Sequence, residues 1–215
     1  MRLYTLMSRC ISIPYSPTND TANFSTERKN DTLYIFFQDS QDADDWSVNL
    51  DFPAKAYKRM GNTAWFAHRG FLEAWKRTEP LLAEAIRDQS VRRAVITGYS
   101  HGAAIALLCH EYVWFNRPDL RESLEGYAFG CPRVIWSLKG CKCEQRWQNF
   151  TVIRNIDDIV THLPPSFLGY RHVGRLLEVG ERGKYSSLEA HRAKNILAEL
   201  HTYCTSADNT HARGD

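Results

Sequence analysis

No run in the sequence approaches the roughly 18 to 20 consecutive apolar residues that a membrane-spanning helix needs, so no transmembrane segment is expected. There is no extended basic block, and the formal net charge is only +2. The electrostatic footprint of phosphate-backbone binding is therefore missing, and nucleic acid is not an expected partner. Cysteine is sparse: six in 215 residues, two of them in Cys141-Lys142-Cys143. That spacing supplies neither a disulfide framework nor the paired short arms of a strong zinc site. Free thiols are the expectation, and a zinc site from Cys131, Cys141, Cys143 and a distant histidine is the weaker reading. An uninterrupted apolar segment is also missing at the start, where Ser8, Arg9 and Ser12 break up residues 1–14. No signal peptide is read, so a cytoplasmic protein is expected, with secretion by another route left open. Asn-x-Ser/Thr sequons at Asn19, Asn23, Asn30 and Asn149 are accordingly read as chance matches.

Apolar content is not lacking. At 43% apolar and 24% charged, the chain lies far from the composition of disordered segments and can bury a real core. One domain over residues 1–215 is expected, with 16–31 as a loop or weakly ordered arm and 206–215 as a polar tail. Residues 32–37 (TLYIFF) read as a strand buried on both faces, and 93–98 (RAVITG) as another. Further strands are read at 127–130, 149–153 and 176–179. Residues 71–87 read as helix with a break or restart at Pro80, and the apolar run after residue 100 reads as a second helix. A third helix closes the chain, capped by Ser186 or Ser187. Strands alternating with helices imply a mainly parallel sheet covered by helices on both faces, with functional loops at the carboxyl ends of the strands.

One of those ends carries TGYSHGAA, residues 97–104. In Gly-x-Ser-x-Gly between a β-branched strand and a helix, the serine is forced into unfavourable backbone angles and strand and helix approach closely. Glycine at positions 98 and 102 suits both demands, and Ala103 and Ala104 keep the junction thin. A plain serine helix cap is the bland alternative. A serine hydroxyl becomes a useful nucleophile only when a histidine takes its proton, and that histidine needs a carboxylate to orient it.

The chain resembles the class 3 lipases, the family of fungal triacylglycerol lipases and their smaller bacterial and phage relatives, of α/β-hydrolase fold. The resemblance rests on five stretches in the family's order: FQDSQDADDWSVNL at 37–50, HRGFL at 68–72, the serine motif, FGCPR at 129–133, and NIDDIV with LPP at 155–160 and 163–165. It implies an α/β-hydrolase fold and a serine ester hydrolase that needs no metal or cofactor.

Residue types leave two carboxylates open, Asp157 and Asp158, since neighbours after a strand point in different directions. The family pattern selects Asp158. Of the downstream histidines His162, His172, His191, His201 and His211, the resemblance selects His191, which precedes Asn195-Ile196-Leu197, with His172 next. His68 precedes the serine and reads as structural. The oxyanion formed during attack needs donors already in place. One is the backbone N–H of His101, directly after the serine; the second, by resemblance, is Ser40. Gln38 and Asp39 depart from the Arg-Gly that the family usually carries there.

The expected substrate is a small-molecule ester or lipid. A catalytically silent binding protein on the same fold is the alternative, supported by the Gln38-Asp39 departure. Tyr57, Met60, Trp65, Phe66, Pro164, Pro165, Phe167, Leu168 and Tyr170 are candidates for an acyl pocket, with core packing the competing role. Few residues between Ser40 and His68 remain for a lid. Nothing in the sequence speaks to oligomeric state.

Overall fold

The computed structural model describes residues 3–15, 23–38, 53–58, 64–137 and 145–211. In chain order the elements are α1 (Leu3–Ser12), β1 (Phe24–Lys29), β2 (Thr32–Phe37), β3 (Ala54–Lys58), β4 (Ala64–His68), α2 (Arg69–Arg87), β5 (Arg93–Tyr99), α3 (His101–Asn116), β6 (Leu124–Phe129), β7 (Ile135–Trp136), β8 (Phe150–Asn155), β9 (Tyr170–Arg171), β10 (Arg175–Val179) and α4 (Ala193–His211).

A six-stranded sheet runs in the order β1-β2-β5-β6-β8-β10. Every pairing from β2 to β10 is parallel, and β1 closes one edge antiparallel to β2. Alternation along the strands sends side chains to two cores. On one face Ile35, Ala94, Ile96, Ala128 and Val152 pack with α2 and α3. On the other, Val95, Phe129, Ile153 and Val179 pack with Leu6 and Met7 of α1 and with Ile196 and Leu200 of α4. This is the α/β-hydrolase arrangement that the family resemblance implies, with helices on both faces. α3 is buried from Gly102 through Val113. A helix enclosed on all sides can be apolar all round, which is why its sequence shows no polar face.

Several expectations are corrected. Residues 24–29 are not part of an arm: they pair with β2 from Phe24 opposite Phe37 to Lys29 opposite Thr32. An edge strand keeps one side in water, so a polar stretch such as FSTERK can form it. Pro80 does not interrupt α2, because it lies on the exposed side, where the carbonyl it leaves unpaired meets solvent. The final helix continues to His211, so residues 206–211 are helical rather than tail. A second sheet, β3-β4-β7-β9 and antiparallel throughout, was not foreseen. Its β3–β4 pair occupies much of the stretch considered for a short lid.

Candidate active site

Gly98 ends the tightly packed part of β5, and a Cβ there would stand 2.3 Å from the carbonyl oxygen of Gly102. A Cβ on Gly102 would in turn stand 2.4 Å from the carbonyl oxygen of Phe37. No side chain fits at either place, so the two glycines are what let β5, α3 and the end of β2 converge. Between them Ser100 takes φ 55° and ψ −120°, a backbone conformation that costs energy in any residue other than glycine. Its N–H donates to the Phe129 carbonyl at 2.9 Å, which ties the turn to β6.

From this turn the Ser100 Oγ lies 2.8 Å from Nε2 of His191, and Nδ1 of His191 lies 2.8 Å from Oδ2 of Asp158. A carboxylate can only accept, so Nδ1 carries the proton and Nε2 is left to accept from the serine hydroxyl. Asp158 is fully buried, and its second oxygen accepts the Val160 N–H at 2.9 Å. Asp157 points elsewhere, accepting the Gly183 N–H at 2.7 Å, and is half-buried rather than merely solvated.

His191 does not sit in a helix. Ser186 donates twice to one carboxylate oxygen of Glu189, from Oγ at 2.6 Å and from its backbone N–H at 3.3 Å, and these bonds close the turn that leads to His191. The expectation that Ser186 or Ser187 caps the last helix is thus corrected: α4 begins only at Ala193. Tyr99 holds the same histidine from the side. Its hydroxyl donates to the His191 carbonyl at 2.7 Å, and its ring stacks on the imidazole with centroids 5.4 Å apart and planes at 24°. Gly130, at φ 59°, closes in near Cε1, where a Cβ would stand 3.0 Å away. Neither Tyr99 nor Gly130 was singled out from sequence. Alternation along β5 was the available signal for Tyr99, since it places residue 99 on the face of Val95, the face that α4 covers.

His172 is engaged elsewhere, with Nε2 at 2.7 Å from the Thr161 carbonyl, and burial pushes it down to about 4. His101 begins α3, and burial, with His68 nearby, pushes its imidazole down to about 4. The first N–H groups of a helix have no intrahelical acceptor, so the His101 N–H starts α3 as a free-standing donor in the helix's own pattern. Ser40 and Asp39 lie outside the described residues, as do Met60, Cys141 and Cys143. Cys131 is fully buried, and burial pushes its thiol up.

The acyl-pocket candidates divide. Tyr170 and Pro164 are buried, and Trp65 packs edge-on against Trp147, with the Arg146 guanidinium 3.7 Å from its ring centre. Phe167 is 86% exposed, and Leu168 and Phe66 are also exposed. Arg133 braces the acid-bearing segment by donating to the carbonyls of His162 and Pro164. Among the described residues no helix is long and apolar enough to cross a membrane.

A family model described as Lipase (class 3) matches residues 34–168. The chain is similar to a lipase of Rhizomucor miehei, 30% identical over 156 residues, covering 66% of this chain and 40% of that protein. It is also similar to the secreted mono- and diacylglycerol lipase 1 of Fusarium solani, 26% identical over 165 residues, covering 75% of this chain and 48% of that protein. The chain thus spans less than half the length of these two relatives. Its fold matches the Rhizomucor miehei triacylglyceride lipase structure with a TM-score of 0.68 at 23% identity, over 83% of this chain and 78% of that one. Kinship with a secreted lipase overturns the cytoplasmic placement. That placement rested on the lack of an apolar run in residues 1–14, which describes those residues and not the compartment.

Proposed function

Because this chain belongs to the class 3 lipase family, we propose that it is a serine hydrolase of lipid or acyl esters, working through an acyl-enzyme on Ser100. The observation that carries the reading is the unbroken relay from Ser100 Oγ to His191 Nε2 and from Nδ1 to Asp158, 2.8 Å at each step. In this reading Ser100 attacks the ester carbonyl while His191 takes its proton. Asp158 fixes the tautomer and stabilises the imidazolium without itself becoming protonated. The backbone N–H of His101 and, with it, Ser40 receive the oxyanion. His191 returns the proton to the departing alcohol, and a water activated the same way releases the acid. The strained Ser100 backbone holds Oγ ready, so little reorganisation is needed at attack. The acylglycerol lipases among its relatives support a lipid ester as substrate.

The test is covalent labelling by an organophosphonate ester, together with hydrolysis of acyl esters from two to eighteen carbons. Label on Ser100, and loss of both label and turnover in Ser100→Ala, are the expected results. Folded protein that takes no label and turns over no ester would favour the silent binding protein instead.

A further inference from the structure

Tyr99 makes two contacts with one residue: it hydrogen-bonds the His191 carbonyl at 2.7 Å and lays its ring against the His191 imidazole. We infer that Tyr99 is the positioning residue for the base, fixing the tilt of the His191 ring through its own ring and the height of the His191 backbone through its hydroxyl. The inference rests on the proposed hydrolase reading and adds to it a residue that the relay does not contain.

An imidazole held only by its two nitrogens can still rock about the line that joins them, because neither hydrogen bond opposes that rotation. A face-on neighbour does oppose it. Tyr99 supplies that neighbour at an interplanar angle of 24°, an offset-stacked arrangement that aromatic pairs favour. The hydroxyl contact addresses a different freedom. His191 lies on the turn before α4, where its N–H makes only a 3.2 Å bond to Leu188; the Tyr99 hydroxyl fixes its carbonyl to the end of β5. Since Tyr99 directly precedes Ser100, any movement of the nucleophile turn carries the base with it. The ring face also meets the imidazolium formed during attack, and an aromatic face attracts a cation.

Tyr99→Phe and Tyr99→Leu, assayed in the full chain with a soluble 4-nitrophenyl ester, test this. Tyr99→Phe keeps the ring and loses one hydrogen bond, so kcat should fall about three- to tenfold with KM unchanged. Tyr99→Leu loses both contacts, and kcat should fall roughly 30- to 100-fold with KM again unchanged, most of the rate returning when phenylalanine replaces leucine. Losses that appear in KM, or an equal loss in the two variants, would overturn the positioning role, as would wild-type kcat in Tyr99→Leu. Should Tyr99→Leu fail to fold, the kcat and KM of Tyr99→Phe decide alone. Organophosphonate labelling of Ser100 in the wild type separates the two readings: label with unaffected Tyr99 variants overturns only this inference, whereas no label and no turnover overturn it together with the hydrolase reading.

Discussion

Ser100 reaches its position through its immediate neighbours, whereas His191, 91 residues away in sequence, is delivered by contacts from several elements. Around Ser100 the chain from Gly98 to Ala104 packs strand against helix so closely that even one methyl group would collide with backbone. Around His191 there is a turn, a buried carboxylate from the end of β8, a tyrosine from β5 and a glycine beyond β6. Steric exclusion holds the first half of the site and cross-element hydrogen bonds hold the second. Changes to the glycines of the first half should therefore act on folding, and changes in the second half on turnover.

The largest expected effect tests the second half. His191→Ala should lower kcat by about 10⁶-fold, since members of such a relay act as a unit, whereas His172→Ala should cost less than about tenfold. Steady-state kinetics on a soluble ester checks this, and the reverse ordering would move the base to His172. Next, Asp158→Asn should lower kcat by about 10⁴-fold with the melting temperature little changed, and Asp157→Asn by less than about tenfold. Comparable losses in the two would mean that the carboxylates share the role.

On the Ser100 side, Gly102→Ala should cost about 3 kcal/mol or more in denaturant unfolding, because its Cβ would meet the Phe37 carbonyl at 2.4 Å. Gly183→Ala is the contrast: its φ of 82° carries strain but nothing lies within 4 Å, so about 1 kcal/mol is expected. Equal costs would show that the close approach at Gly102 is relieved by small shifts of its neighbours and does not hold the Ser100 turn.

A last effect, read only in the pH dependence of stability, concerns α3 behind Ser100. His110 is fully buried, neither ring nitrogen has a hydrogen-bond partner among the described residues, and burial pushes it down to about 3. The folded protein therefore keeps it neutral while the unfolded chain takes up a proton below about pH 6.5. The corresponding stability is fully present above that pH and is lost as pH falls toward about 3. His110→Phe should flatten the fall in unfolding free energy by roughly 1.4 kcal/mol per pH unit between about pH 6 and 4. Urea unfolding across that range checks it; an unaltered slope would mean that His110 titrates alike in both states.

Legibility followed the range of the interactions. The β5–α3 junction could be read because both glycines and the serine lie within five residues, and β2 because an unbroken apolar run matches a strand buried on both faces. β1 was missed because an edge strand is only half enclosed and its polar residues imitate a loop. β7 and β9, two residues each, are too short to show any period. The start of α4 was misplaced because the Ser186 and Glu189 pair is the ordinary mark of a helix start and here closes a turn. Tyr99 was overlooked because alternation along β5 gives the face it lies on but not the residue it meets there.

By itself the sequence determined that a serine would stand at a strained strand-to-helix turn, since only glycine on both sides permits that approach. Residue types and spacing left Asp157 open beside Asp158, and His172 beside His191, with family resemblance favouring the second of each pair. Only the tertiary structure decided which imidazole reaches Ser100, which carboxylate reaches that imidazole, and that Tyr99 lies against the ring. Those contacts join residues 33 to 92 positions apart. Such meetings are settled by how β8, the turn before α4 and β5 come together over one end of the sheet, and no periodicity or local motif encodes that.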